Sequence, residues 1–308
     1  MTINTIFLEN LTDELQIIHI SGTDIAKFLQ GLITNDIYLL NNTNQYLFAA
    51  HLNNKGRIIA NFIITKIDDN NYYLITPTSV VDILIAKLKI FILRLKITIS
   101  VNHDFNIIFT NSPTNNIDIN NLQHIIGLNN IHCNIKLFDN YQLLLIANIS
   151  NPIDLNTAAN LKAPSNVNWK KFIINHKIPF IYQSTTEAFV PQHINYTDPN
   201  LNAVNFKKGC YIGQEIVARL HYLGQTKRSL LQFLIIDDAT ITKIHHLNYA
   251  SLIGLNVIDH NKLIVGAIVE HIDNYGLLSV QTEYITADTQ LYIDYNSQLL
   301  AIKINSLI

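Results

Sequence analysis

The segment from Lys207 to Arg228 concentrates residues that could do chemistry. It contains Cys210, one of two cysteines among 308 residues, placed directly after Gly209 and shortly before Gly213. A glycine lets the backbone bend, or approach a ligand, where a Cβ would clash. A thiol beside a helix N-terminus and two lysines has its thiolate form favoured. The pattern after Gly213 has helical periodicity, so the segment predicts a tight turn that presents a reactive thiol at the start of a helix.

A purely structural Cys210 is the alternative, because free cysteine is commonly a small core residue. Density favours a functional role, since two Lys, two Gly, Cys, Gln, Glu and Arg fall within thirteen residues. Glu215 and Arg219 are four residues apart, which predicts an ion pair on one helical face. Cys133 has no motif around it and is predicted to be a core residue.

The signature resembles that of a known family. Lys208-Gly209-Cys210-Tyr211-x-Gly213-Gln214-Glu215-x-x-x-Arg219 is similar to the pattern of the YgfZ-type folate-binding proteins. These proteins are relatives of the glycine-cleavage T-protein, an aminomethyltransferase that uses tetrahydrofolate. The resemblance extends to Gly22–Asp36, to Lys55-Gly56-Arg57 and to Phe189-x-Pro191-Gln192, although the first two segments are equally typical of fold-defining turns.

The resemblance implies a tetrahydrofolate cofactor, or a derivative of it, and an accessory role in maintaining iron–sulfur enzymes. Those enzymes include ones that modify tRNA by methylthiolation, and they are the expected partners besides folate. Cys210 would be the working thiol, as nucleophile, redox centre or transient ligand. The T-protein's Asp has no secure counterpart near Thr76, and a helix start explains Asp82, so glycine-cleavage aminomethyl transfer is disfavoured.

Folate binding needs an amide or carboxylate for the pterin, an aromatic platform and cations for the glutamate tail. Trp169, the single tryptophan, stands where the family has a pocket Trp, but a core anchor is the alternative. Leu15 stands where the family has a second pocket Trp. Gln192 could line the pocket or satisfy buried backbone groups. The predicted folate-binding set is Leu15, Trp169, Gln192, Lys208, Gly209, Tyr211, Gly213, Gln214, Glu215 and Arg219, with no metal site.

Two further functions remain open at this point. One is a folate-dependent one-carbon transferase, which would move an aminomethyl or formaldehyde unit. The other is a hydrolase in which Cys210 is the nucleophile and His193 or His221 the base, although no protease signature surrounds the cysteine. Whether the protein is an enzyme is therefore left undecided by the sequence.

Composition restricts the class of protein. Hydrophobic residues make up 48% and charged residues 14%, which indicates a globular chain, and the net charge of −2 argues against direct nucleic-acid binding. Two distant cysteines form no disulfide framework and favour a cytoplasmic location. The most apolar window, Ser79–Ile99, carries five charges and is predicted to be an amphipathic helix, begun by a Ser79–Asp82 cap and continuing to Leu95, and no membrane association is expected.

Periodicity predicts an α+β fold with antiparallel sheets. Strands are expected at 15–20, 46–51, 57–65, 72–76, 97–101 and 140–149, and a short helix near Phe28. Five alternating runs after Arg228, at 230–236, 263–271, 277–282, 290–295 and 298–304, predict a small β-barrel or sandwich. The resemblance implies the T-protein's three-domain arrangement. Residues 1–228 would hold two interwoven α+β subdomains with a break near 111–121, and 229–308 an all-β barrel.

Overall fold

A computed structural model describes residues 7–41, 45–111, 131–138, 141–147, 167–236, 252–285, 290–296 and 298–305. Most of the predicted break at 111–121 lies outside these residues. The strands are β1 Leu8–Asn10, β2 Leu15–Gly22, β3 Tyr46–Leu52, β4 Ile58–Asp68, β5 Asn71–Pro77, β6 Ile97–Asn102, β7 Phe105–Asn111, β8 Ile131–Lys136, β9 Tyr141–Ala147, β10 Arg228–Ile235, β11 Asn256–Ile258, β12 Ile264–Ile272, β13 Tyr275–Gln281, β14 Leu291–Tyr295 and β15 Gln298–Asn305. The helices are α1 Ile25–Gln30, α2 Val81–Lys89, α3 Val167–Asn175 and α4 Gln214–Tyr222.

The chain forms two compact units. The first takes its residues from the ranges Met1–Gln30, Ile37–Phe48 and Phe62–Trp169, and the second from Gly31–Asp36, Ala49–Asn61 and Lys170–Ile308. Strands β3 and β4 contribute residues to both units. The division of the chain into domains at 111–121 and 228 stays a prediction.

Two antiparallel arrangements organise the first unit. A five-stranded sheet has the order β3-β4-β5-β2-β6, and a four-stranded sheet has the order β1-β7-β9-β8. Ile17 of β2 pairs with Ile75 of β5, and β5 is buried along most of its length, which explains its almost continuous apolar sequence. All six predicted strands of this region are confirmed, and their ends differ from the predicted ones by at most three residues. Residues 140, 148 and 149 of the last prediction lie outside the described residues.

The predicted helix of residues 79–95 is shorter than its apolar pattern suggests. Helix α2 ends at Lys89, and Leu93 then adopts a left-handed conformation with φ 35° and a side chain that is 90% exposed. The chain must turn here because β6 begins at Ile97, which pairs with Gly22. The predicted Ser79 cap is also wrong, since the N-cap residue is Val80 and no side chain caps the helix.

A closed six-stranded barrel follows the signature. Its strand order is β10-β13-β12-β11-β14-β15, so the barrel is confirmed and the sandwich alternative is not. Phe233, Ile268, Leu278 and Ile293 are fully buried inside it. Strand β11 was not predicted, because its three residues are too short to show alternation. Barrel and antiparallel sheets together confirm the α+β fold class.

Candidate functional site

Two glycines fix the start of the signature helix α4. Gly213, its N-cap residue, has φ 79°, and a Cβ there would lie 2.5 Å from the carbonyl oxygen of Asn53. Gly56 has φ 69°, and a Cβ there would lie 2.9 Å from the Cβ of Ile216. The turn at 53–56, between β3 and β4, therefore packs directly on the helix start, at a distance that only glycine permits.

The turn before α4 presents Cys210 to solvent. Its thiol is free and exposed, whereas Tyr211 beside it is buried. The Tyr211 N–H donates to Oε1 of Gln214 at 3.3 Å, and the Gln214 N–H donates to the Tyr211 carbonyl at 3.2 Å. A Cβ at Gly209 would meet nothing within 4 Å, so that position has no steric need for glycine. The thiol is thus exposed on a turn whose residues Lys208 and Tyr211 point inward.

Lys208 is one of those inward residues. Its Nζ donates to the carbonyl oxygens of Ile33 at 2.7 Å and Asn35 at 2.8 Å. Burial lowers its pKa to about 8, and nearby Asp36 opposes that change. The ammonium therefore ties the signature to residues 33–35. Its predicted role toward a folate tail stays a prediction, and it would require these hydrogen bonds to be exchanged.

Glu215 and Arg219 remain on the surface of α4. Both side chains are exposed, and in the described part of the chain no ion pair joins them within 4.0 Å. The predicted pairing is not formed, because an exposed pair gains little from holding two long side chains in one geometry. Both groups remain accessible to a ligand.

Gln192 satisfies a buried backbone group, one of the two roles that the sequence left open, and its part in a ligand pocket stays a prediction. It is 9% exposed, and its Nε2 donates to the carbonyl oxygen of Val217 in α4 at 2.8 Å. Its Oε1 is buried and accepts no hydrogen bond from the residues that the structure describes. An unpaired buried acceptor is costly, so this amide is a candidate to receive a hydrogen bond from a ligand.

Trp169 and Leu15 belong to the first unit, and the signature residues belong to the second. Trp169 is 1% exposed, and its ring meets that of Phe109 edge-on at 5.2 Å. Its backbone N–H donates to Oε2 of Glu9 at 2.9 Å. Leu15 is buried at the start of β2. This placement is that of core anchors, so neither residue offers an open face, and their folate contacts stay predictions.

Glu9 is a site that sequence reasoning missed. Burial raises its pKa to about 7, and hydrogen bonds from the backbone N–H groups of Trp169 and Asn168 oppose that shift. A second missed group is the buried ion pair of Lys170 and Glu270 at 2.6 Å, with the Tyr182 hydroxyl on the other carboxylate oxygen at 2.6 Å. Neither has a sequence signal, because the partners are about 100 or more residues apart.

The two cysteines have opposite environments. Cys133 is buried on β8, and burial raises the pKa of its thiol to about 11, which confirms it as a core residue. No histidine hydrogen-bonds to Cys210 among the described contacts: the His221 ring stacks on Phe206 at 3.8 Å, and burial lowers the pKa of His193 to about 4. The thiol–imidazole pair of a cysteine hydrolase is therefore not formed.

Over the ranges that the structure describes, no three or more His, Cys, Asp or Glu side chains gather as a metal site. None of the helices described is long and apolar enough to cross a membrane.

The fold places this chain in the class of glycine-cleavage aminomethyltransferase folds. The glycine cleavage system aminomethyltransferase T from Bartonella henselae superposes with a TM-score of 0.65 at 12% identity, over 98% of this chain and 85% of that one. At such low identity the likeness concerns the fold alone.

Relatives in sequence narrow the class to a family. The tRNA-modifying protein YgfZ of Buchnera aphidicola is 31% identical over 241 residues, which cover 74% of each chain. That of Blochmanniella pennsylvanica is 28% identical, over 71% of this chain and 68% of its own, and that of Colwellia psychrerythraea 26%, over 70% and 68%. No family model matches the chain. The chain belongs to the YgfZ family, as its signature predicts.

Proposed function

We propose that this protein is a cytoplasmic tetrahydrofolate-binding accessory protein that supports assembly or repair of iron–sulfur enzymes, and through them tRNA modification. The observation that carries the proposal is the exposed Cys210 thiol, flanked by the buried side chains of Lys208 and Tyr211. The relatives named tRNA-modifying proteins support the tRNA end of this role.

Exposure decides what the thiol can do. A folded client can reach Cys210, whereas Cys133 is enclosed in a sheet. An accessible thiol suits a nucleophile, a redox centre or a transient ligand to a client's cluster. The turn supports this function by fixing where the sulfur lies, since Gly213 and Gly56 leave the helix start little freedom to shift.

Part of the predicted folate set fits the chemistry of folate. A pterin donates hydrogen bonds through its amino group and ring N–H, and the unpaired Oε1 of Gln192 can accept one. The half-buried Gln214 and the exposed Glu215 and Arg219 would hold the remaining polar groups, with Arg219 suited to a tail carboxylate. Bound folate would supply one-carbon chemistry; the chain's own residues bind and orient it.

Calorimetric titration with tetrahydrofolate tests the folate part, and fluorescence of Trp169, the sole tryptophan, is a second readout. We expect saturable binding by wild type and by Cys210→Ser. Gln192→Met, which removes the buried acceptor, should weaken binding at least about tenfold, the value of one hydrogen bond to a buried group. Gln225→Met, on an exposed turn, is the matched control. Absence of heat with wild type would reject folate as the ligand.

Complementation tests the thiol part. In cells that lack their own YgfZ-type protein, wild type and Cys133→Ser should restore methylthiolated tRNA nucleosides, measured by mass spectrometry. Cys210→Ser should not restore them at equal protein level. Full restoration by Cys210→Ser would reject the role of Cys210 as the working thiol. Folate binding would still be tested separately by the titration.

A further inference from the structure

Three basic side chains of the second unit meet outside the signature turn. Arg57 precedes β4, His193 lies in the 3-10 turn Pro191–Ile194, and Arg228 begins β10. The Nη1 of Arg57 donates to the carbonyl oxygens of Glu187 at 3.2 Å and Ala188 at 2.8 Å, which fixes the guanidinium beside the segment that leads into the turn.

The other two groups come to the same place through packing. Strand β10, which Arg228 begins, contacts the turn that carries His193. Burial lowers the pKa of Arg228, and the charge of Arg57 lowers it further by a smaller amount. Burial, then Arg228 and Arg57, lower the pKa of His193 to about 4. Both arginines therefore act on the same imidazole, from different segments of the chain.

No acid compensates this cluster within the described ranges. The ion pairs found there are Lys66–Asp69 and Lys170–Glu270, so no described carboxylate lies within 4.0 Å of either guanidinium. Arg57 is exposed and Arg228 is partly buried. Two like charges near one another are unfavourable unless a negative group joins them. Guanidinium groups are suited to bind carboxylate and phosphate oxygens in pairs.

We propose that Arg57, His193 and Arg228 form a binding site for an oxyanion, a phosphate or carboxylate group carried by a ligand. Arg57 keeps its Nε and Nη2 for the anion, because both of its carbonyl contacts among the described residues use Nη1. His193, neutral at physiological pH, contributes a ring N–H without adding charge. The neighbouring Gln192 ties this turn to Val217 of α4, so the anion would be held beside the signature helix.

Thermal unfolding of the full chain, with inorganic phosphate or glutarate against chloride at equal ionic strength, tests the site. An anion that binds the native state raises Tm. For a chain of this size the rise is about 3 °C when the anion concentration is ten times its Kd. In chloride, Arg228→Gln should raise Tm because it relieves repulsion, and it should abolish the anion-dependent rise. Lys227→Gln, an exposed neighbour of the same charge, should keep that rise.

Calorimetric titration of wild type with both anions decides the question even if Arg228→Gln does not fold. Tighter binding of phosphate would identify a phosphate-bearing ligand, and tighter binding of glutarate a carboxylate-bearing one. If wild type shows neither binding heat nor a Tm rise beyond that in chloride, the proposed site is overturned. It is also overturned if Lys227→Gln loses the anion-dependent rise in Tm as fully as Arg228→Gln does. Because no folate is present, this result is independent of the folate titration.

Discussion

The two cysteines show how differently two regions of one chain treat a reactive group. Cys133 lies in the four-stranded sheet of the first unit, where burial raises its pKa to about 11. Cys210 lies in the signature turn of the second unit, where its thiol is exposed. In the sheet the thiol is enclosed by the core. In the turn, the side chains of Lys208 and Tyr211 are buried and the thiol is left outside.

The difference assigns separate tasks to neighbouring residues. Lys208 and Tyr211 would look like chemical partners of Cys210 from the sequence, yet their burial makes them part of the support. The proposed functional group is the Cys210 thiol, the one that stays exposed. Reactivity, in this chain, follows from exposure set by the supports rather than from the residue type alone.

The largest expected effect is on thiol reactivity. With a chromogenic disulfide at about pH 8, Cys210 should react at least about 1000-fold faster than Cys133, because a thiol with a pKa of about 11 is about 0.1% ionised there and is also enclosed. The rates are read from the absorbance of the released thiol, in Cys133→Ser and Cys210→Ser. Equal rates in the two variants would remove the contrast between the regions.

The next effect concerns the glycines that hold the turn. Gly213→Ala should lower the free energy of unfolding by about 3 kcal/mol, since φ is 79° and the new Cβ would lie 2.5 Å from a backbone oxygen. Gly209→Ala meets nothing within 4 Å and should change it by less than about 0.5 kcal/mol. Urea unfolding measures both. If Gly213→Ala is as mild as Gly209→Ala, the turn is not held by this close approach.

Burial in the first unit should also appear in the pH dependence of stability, through Glu9 of β1. Its folded pKa of about 7 is above the ordinary carboxyl pKa of 4.5, so its stabilising contribution is complete below pH 4.5 and is lost as pH rises through about 7. Between pH 4.5 and pH 8 the free energy of unfolding of wild type should fall by up to about 3 kcal/mol relative to that of Glu9→Gln. Urea unfolding at a series of pH values measures both proteins. If their free energies of unfolding change with pH in parallel, the pKa of Glu9 is not raised by folding.

Local patterns predicted the fold better than they predicted the site. Alternation located every strand of the five-stranded sheet and every barrel strand except β11, because each has a buried face of period two. In the four-stranded sheet it located only β9 and missed β1, β7 and β8. It failed at residues 90–95, where Phe91 and Leu95 continue the helical spacing but are exposed. There the demand that β6 pair with β2 overrides the local preference.

The site depended on contacts between distant segments, which a single sequence does not display. The signature located the thiol and the helix, but the direction of Lys208 depends on carbonyls 173 and more residues away. Likewise the meeting of Arg57, His193 and Arg228 requires three segments to be folded first. Residue type and spacing predict which chemistry is available; burial decides which residues perform it.

The smallest of these effects tests that statement on adjacent lysines. Lys208→Met should lower the free energy of unfolding by about 2 kcal/mol, because the carbonyls of Ile33 and Asn35 lose their donor. Lys207→Met, exposed and equal in charge, should stay within about 0.5 kcal/mol. Urea unfolding near neutral pH compares them. Equal stability of the two variants would mean that Lys208 supports nothing, and its ammonium would then be available to a ligand, as the sequence alone had predicted.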